Sequence, residues 1–325
     1  MQRSGLLAFP LTPFDADDAV DRETLATHIA HQLDVRRRTG RLGELSPSAW
    51  FVACGTGEFA ALSSAEYRTV VRTAVDTVAG QAPVFAGVGG GPGTARELVT
   101  VAHECGADGI LLLPPYLVSS TPTGLVEHVR YVATGSPLPV IVYQRANAVL
   151  DVASTLALLD LPNVTGVKDG IGDIDTMAQI AAAVRTSGHR RAETFEFFNG
   201  LPTAELAAPA YRAIGIGGYS SAALSFAPDI ALAYYESLVD GDTATRDALL
   251  KHFYLPLTQL RSTVPGYSVA LVKAGARLAG LPMGPVRPPL VEPTPEHLEL
   301  LERIVDGGRS VLRDLTPHPG TQVIG

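Results

Sequence analysis

Eight short apolar runs alternate with segments of helical character over the first two thirds of the chain, and this alternation restricts the possible folds more than any other feature. The runs are Leu6–Pro10, Ala49–Cys54, Val84–Val88, Gly109–Leu113, Val140–Tyr143, Val164–Val167, Phe195–Phe198 and Ile214–Gly218, each closed by Gly, Pro or a polar residue. Between them Arg22–Arg37, Ser64–Val78, Thr94–Cys105, Thr123–Ala133, Asp173–Arg185 and Thr203–Tyr211 read as helices. Capping residues mark several starts: Ser63 or Ser64 ahead of Glu66, Asp151 ahead of Ser154, and Asp173 ahead of Met177. Buried strands alternating with helices require a parallel sheet, and eight such units close on themselves. The expected fold class is therefore α/β, a (β/α)8 TIM barrel. A doubly wound open sheet would need a topological switch point, which no feature of the sequence marks.

Beyond the eighth run the chain reads as helix alone, over Pro228–Leu238, Thr243–Arg261, Ser268–Leu278 and Pro295–Leu312. The expected organisation is a barrel over residues 1–226, a helical C-terminal extension packed on it over 227–315, and a flexible tail over 316–325, which carries two Pro and two Gly.

Composition narrows the class of function. Hydrophobic residues make up 46% and charged residues 18% of the 325, which suits a packed core. The longest apolar runs fall far short of the ~20 residues needed to cross a bilayer, so no membrane span is expected. The first residues, interrupted by Pro10, make a poor signal peptide, and a cytoplasmic location follows as the expectation. Two cysteines, Cys54 and Cys105, cannot form a disulfide framework and have no metal-ligand spacing. The net charge is −8, and the one dense basic cluster, Arg36–Arg38 with Arg41, lacks interleaved aromatics, so nucleic acid is not an expected partner.

Of 25 basic residues, only Lys168, Lys251 and Lys273 are lysines. Arginine keeps its proton in proteins and cannot act as a neutral amine nucleophile, so each lysine poses a chemical question. Lys168 closes the apolar run Val164–Val167, at the strand end where barrel enzymes carry their chemistry. Desolvation there would strip part of its proton and free the amine to attack a carbonyl. The alternative is an ion pair with Asp169 or Asp173. Lys251, beside His252 on an amphipathic helix, reads as solvated, and Lys273 lies in a helix of small residues. Tyr143 ends the neighbouring fifth run and could pass protons around an imine, or could simply pack. Gly55-Thr56-Gly57-Glu58, after the second run, offers amides and a hydroxyl as a carboxylate cradle, or only a tight turn. Other strand-end candidates are Pro114-Pro115-Tyr116, Gln144-Arg145, Asn199-Gly200 and Tyr219-Ser220-Ser221.

Three further patterns carry no function. Gly87–Gly93 matches neither phosphate-loop spacing and contains Pro92, so it reads as a strand-to-helix turn. His28 and His31 lack a carboxylate partner for a metal, and no metal is expected. The sequon Asn163-Val164-Thr165 falls in a buried strand.

The strand-end residues together resemble a known family. Thr12-Pro13-Phe14, Gly55-Thr56-Gly57-Glu58, Tyr143 and Gly166-Val167-Lys168-Asp169 stand in the order and at the strand ends of the dihydrodipicolinate synthase / N-acetylneuraminate lyase family of Schiff-base barrels. The likeness runs from about Leu6 into the C-terminal helices. Where the synthases have two consecutive Thr, this chain has Gly55-Thr56; Leu117 replaces their second Tyr after strand four, and Gln144-Arg145-Ala146 replaces their Asn-x-Pro. These departures point away from synthase chemistry. Val167-Lys168-Asp169-Gly170-Ile171-Gly172-Asp173 and Phe198-Asn199-Gly200-Leu201-Pro202-Thr203-Ala204-Glu205 instead resemble the decarboxylating dehydratases of the family, which act on a six-carbon sugar diacid. The resemblance implies Lys168 as imine lysine, Tyr143 as proton shuttle, and Gly55, Thr56, Arg145, Asn199 and Ser220 as substrate contacts. It also implies a homotetramer and no organic cofactor, the iminium itself serving as electron sink.

Overall fold

The structure is a computed structural model that describes residues 5–38, 46–115 and 117–315; the tail 316–325, Arg41 and Tyr116 lie outside it. The strands are β1 (Leu6–Ala8), β2 (Ala49–Val52), β3 (Val84–Gly90), β4 (Gly109–Pro115), β5 (Val140–Gln144), β6 (Val164–Asp169), β7 (Glu196–Asn199) and β8 (Gly218–Ser221). All pair in parallel with their sequence neighbours, and β8 pairs back onto β1, so the sheet closes as the alternation requires. The helices α1 (Arg22–Arg38), α2 (Ser64–Val78), α3 (Pro92–Glu104), α4 (Pro122–Thr134), α5 (Val152–Leu158), α6 (Ile174–Thr186), α7 (Ala208–Ala213) and α8 (Pro228–Asp240) follow the strands in turn. Then come α9 (Thr243–Leu249), α10 (Leu255–Arg261), α11 (Tyr267–Leu278) and α12 (Pro295–Leu315), which pack on one another and on α8. Helix α8 also touches α1 and so completes the ring. Among the described residues no helix is long and apolar enough to cross a membrane.

Strand parity divides the core in two. Leu7, Phe9, Ala49, Phe51, Phe85, Leu111, Ile141, Tyr143 and Phe198 fill the barrel interior, while their strand neighbours such as Leu6, Ala8, Trp50, Val52, Val140 and Val142 face the helices. Phe9, Phe51 and Phe85 stack in sequence at 4.8 and 4.9 Å between ring centroids, building the floor beneath the C-terminal mouth. The expected caps form. Ser63 and Glu66 close a capping box on α2, Asp151 and Ser154 do so on α5, and Asp173 accepts the Thr176 amide at the start of α6.

Three expected elements are corrected. Ile214–Gly218 is not the eighth strand: Gly215, at φ 88°, terminates α7, and the ladder to β1 begins only at Tyr219. The helix expected over Thr203–Tyr211 is broken into a 3₁₀ turn and α7, because Pro209 has no amide to offer the Glu205 carbonyl, which instead accepts from the Tyr234 hydroxyl at 2.7 Å. Thr243–Arg261 carries a π-helical turn at Leu250–Tyr254, immediately before Pro256 removes a helical donor.

Candidate active site

Lys168 and Tyr143 meet because of a count of residues in β6. Val140 pairs with Val164, but Ile141 pairs with Gly166, so Thr165 is an extra residue and forms a bulge. Beyond it Lys168 stands opposite Tyr143 on the inward face, and Val164 and Val167 both face the helices although they are three positions apart. Two glycines make room for the pair. A methyl at Gly200 would lie 2.3 Å from Cε and 2.5 Å from Cγ of Lys168, and one at Gly170 would lie 2.8 Å from the Tyr143 hydroxyl.

The Lys168 amine is buried at 6% exposure, with Nζ 4.0 Å from the Phe9 ring centroid and 4.2 Å from that of Tyr143. Neither Asp169 nor Asp173 pairs with it: Asp173 caps α6, and Asp169 faces the opposite side of the strand. Burial in this apolar setting lowers its pKa from 10.5 to about 7, and the Arg145 charge adds to the depression while Cys54 works against it. The Tyr143 hydroxyl donates to the Gly200 carbonyl at 3.2 Å and receives Arg145 Nη1 at 3.5 Å. Burial raises its pKa, opposed by the Arg145 charge, so the phenol holds its proton until a partner takes it.

A cavity of about 330 Å³ opens above the pair. Gly55, Thr56, Arg145 and Ser220, expected as substrate contacts, all line it. Arg145 sits in a tight turn closed by reciprocal backbone bonds with Ala148, and among the described residues no carboxylate pairs with it. Asn199 is a correction. Its side chain is fully buried on the helix side of β7, where Nδ2 donates to the Ala204 carbonyl at 2.9 Å and Oδ1 accepts from Leu201 N at 3.0 Å. Phe198 is the residue of that strand end that points inward, and parity turns Asn199 away. The far wall comes from the extension, through Gly266, Ser268, Val269 and Leu290.

The supporting roles of several residues escaped the sequence reading. Gln144, Asp169 and Asn199 are neighbours across β5, β6 and β7, on the helix side of the sheet. The Asp169 carboxylate accepts from Gln144 Nε2 at 2.8 Å, from Ile171 N at 3.0 Å and from the Tyr211 hydroxyl, which locks the strand end that carries Lys168. Lys273 has such a role as well. It is wholly buried against Glu58, with Nζ to Oε1 at 2.6 Å. A lone lysine in the apolar helix Tyr267–Leu278 was itself the signal. His28 accepts the Leu11 amide through Nε2 at 3.3 Å, a structural task.

A closed eight-stranded barrel with a desolvated lysine in its C-terminal mouth, unpaired among the described residues, is the arrangement a class of protein needs to present a neutral amine to a carbonyl. Residues 2–307 match the model of the dihydrodipicolinate synthetase family, and the chain belongs to that family. It is 48% identical, over 96% of this chain and 93% of the other, to the probable 5-dehydro-4-deoxyglucarate dehydratase of Streptomyces griseus subsp. griseus. It is 41% identical, over 94% and 96%, to the protein of that name from Rhizobium rhizogenes. Among solved structures, dihydrodipicolinate synthase from Oceanobacillus iheyensis superposes with a TM-score of 0.82 at 25% identity, covering 94% of this chain and 97% of that one. The synthase DapA-2 from Bacillus anthracis gives 0.81 at 26% identity, covering 94% and 99%.

Proposed function

We propose that the chain is a Schiff-base-forming, decarboxylating dehydratase that converts 5-dehydro-4-deoxy-D-glucarate to 2,5-dioxopentanoate, carbon dioxide and water. The observation that carries the reading is Lys168, buried without an ion-pair partner among the described residues and facing Tyr143 across the β5–β6 ladder. The names of relatives at 41–48% identity over nearly the whole chain supply the substrate.

The Lys168 amine adds to the C5 ketone, and loss of water from the carbinolamine gives an iminium. Tyr143 carries the protons of this exchange, taking one from the amine and returning one to the departing hydroxyl. The iminium acidifies C4. Loss of a C4 proton forms the enamine, whose electron pair expels the C3 hydroxyl and leaves a conjugated iminium. Cleavage of C1–C2 then releases carbon dioxide, and the bond electrons flow through C3 and C4 to the imine nitrogen. The resulting enol at C2 becomes the aldehyde on protonation at C3, protonation at C4 restores the iminium, and water frees Lys168. One electron sink serves both eliminations.

Gly55, Thr56, Arg145 and Ser220 receive the two carboxylates. An exposed arginine without an acidic partner among the described residues, beside a desolvated amine, favours a dianion over a neutral sugar. In the same reading the enzyme is cytoplasmic and a homotetramer, with each barrel holding its own catalytic set. Leu117, 85% exposed, has no hydroxyl to lend a neighbour.

The test is incubation with the diacid followed by product analysis. Carbon dioxide and 2,5-dioxopentanoate in equal amounts are expected; release of pyruvate would make the chain an aldol-type lyase of the same family. Borohydride with substrate should place the ligand mass on Lys168, and an adduct on Lys251 or Lys273 would remove the basis of the assignment.

A further inference from the structure

The cavity has a floor from the barrel and a wall from the extension, and one buried contact ties them together. Glu58 lies two residues after Thr56, on the loop that lines the floor, and its side chain is 1% exposed. Its backbone is in the left-handed region at φ 55°, a conformation unfavourable for a residue other than glycine. Both carboxylate oxygens are engaged from the extension: Oε1 by Lys273 Nζ at 2.6 Å, Oε2 by the Arg287 amide at 3.0 Å. Lys273 belongs to α11, the helix whose first turn supplies Ser268 and Val269 to the cavity wall, and those residues lie within about 8 Å of it along the helix axis. Its Nζ also donates to the Pro285 carbonyl at 2.8 Å and sits 4.2 Å from the Phe14 ring centroid, while the Phe14 amide donates to the Met283 carbonyl.

Stability does not account for such a pair. Two charges withdrawn from water are often replaced by apolar groups of similar volume at no loss, or with a gain. What a hydrogen-bonded charge pair adds over packing is a fixed distance and direction between the elements that carry it. Resting on the imine reading of this cavity, we infer that Glu58 and Lys273 are positioning residues. Their contact sets the gap between the Thr56 floor and the α11 wall, and with it the fit of the bound 2-oxo acid.

The experiment uses pyruvate, the smallest 2-oxo acid with a ketone carbonyl, and borohydride. In the full chain carrying Glu58→Gln with Lys273→Met, both charges leave together, so no unpaired charge remains buried. The variant is expected to unfold cooperatively near the native temperature and to take one adduct on Lys168 at saturating pyruvate, with the half-saturating concentration raised about ten- to a hundredfold. A folded double variant with native half-saturation overturns the inference. Should the variant not fold, hydrogen exchange on the native protein decides. The amides of residues 56–61 and 269–274 should slow together when the pyruvate adduct forms, and a response in one segment without the other overturns it. Absence of any adduct on native Lys168 would refute the imine reading alone. The coupling is then judged on unliganded Glu58→Gln, where faster exchange over 269–274 is expected and native exchange refutes it.

Discussion

Replacing Lys168 by Met should abolish turnover and make the protein more stable, by an amount that depends on pH in one direction only. The methionine keeps the volume and flexibility of the lysine stem, so packing against Phe9 and Tyr143 is preserved. The charge is what changes. Moving the amine from 10.5 in the unfolded chain to about 7 in the folded one corresponds to roughly 5 kcal/mol between the two protonation states. Because the folded value is the lower, the unfolded chain holds the extra proton between about pH 7 and 10.5, and wild-type stability rises with pH across that window. Below it the penalty is fully present, and above it the penalty is gone. Relieved of this penalty, Lys168→Met should exceed the wild type by about 2–4 kcal/mol near pH 7 and by less than about 1 kcal/mol near pH 10. Urea unfolding of both proteins across this range measures the difference directly. A variant less stable than wild type at neutral pH, or an advantage independent of pH, would mean that the folded protein keeps Lys168 charged, and the nucleophile argument would fail.

The acid limb of wild-type kcat/KM should lie near pH 7, where Lys168 loses its proton; a limb well above pH 9 contradicts the desolvated amine. In Arg145→Gln, losing a cation that depresses Lys168 should move this limb to higher pH, while the missing charged hydrogen bonds raise KM for the diacid about tenfold or more; unchanged values for both return Arg145 to the surface. Tyr143→Phe keeps the ring and removes the transferable proton, so turnover should fall at least about a hundredfold with a nearly constant Tm, and full activity would make Tyr143 a packing residue. For Gly200→Ala, a methyl within 2.5 Å of the Lys168 stem should displace the amine and lower turnover about a hundredfold or more, whereas native borohydride trapping would show that the stem has room to move.

The barrel was legible because parallel strands buried on both faces leave apolar runs that helices must separate, and capping residues such as Ser63 and Asp151 mark where those helices begin. That Lys168, Tyr143, Thr56 and Ser220 would line one cavity was legible for a related reason: they stand at strand ends, where this architecture opens its mouth. Asn199 was misplaced because standing at a strand end does not tell which side of the sheet a residue faces. Glu196-Phe197-Phe198-Asn199 alternates, with Phe197 toward the helices and Phe198 inward, which turns Asn199 out. The Glu58–Lys273 contact joins positions 215 residues apart, and no local periodicity reports a pairing of that range. The eighth strand was missed because Ile214 and Ile216, apolar and flanking a glycine, suit a helix end packed on the core as well as they suit a strand.

The bulge at Thr165 has a consequence for how length changes would act on this protein. In a two-residue repeat every residue has a parity, and a single insertion or deletion exchanges the two faces downstream. Deleting Thr165 would only close the bulge, leaving Gly166 opposite Ile141 and Lys168 opposite Tyr143, whereas inserting one residue between Gly166 and Val167 would put Val167 where Lys168 now stands. Such a chain would differ from this one by a single residue, retain every apolar run and still be able to close its sheet. It would present an isopropyl group to the substrate and bury an ammonium among the helices. Beyond the bulge the length of β6 therefore matters before its composition, and a one-residue insertion there, in any otherwise similar chain, marks the loss of the amine from the mouth of the barrel.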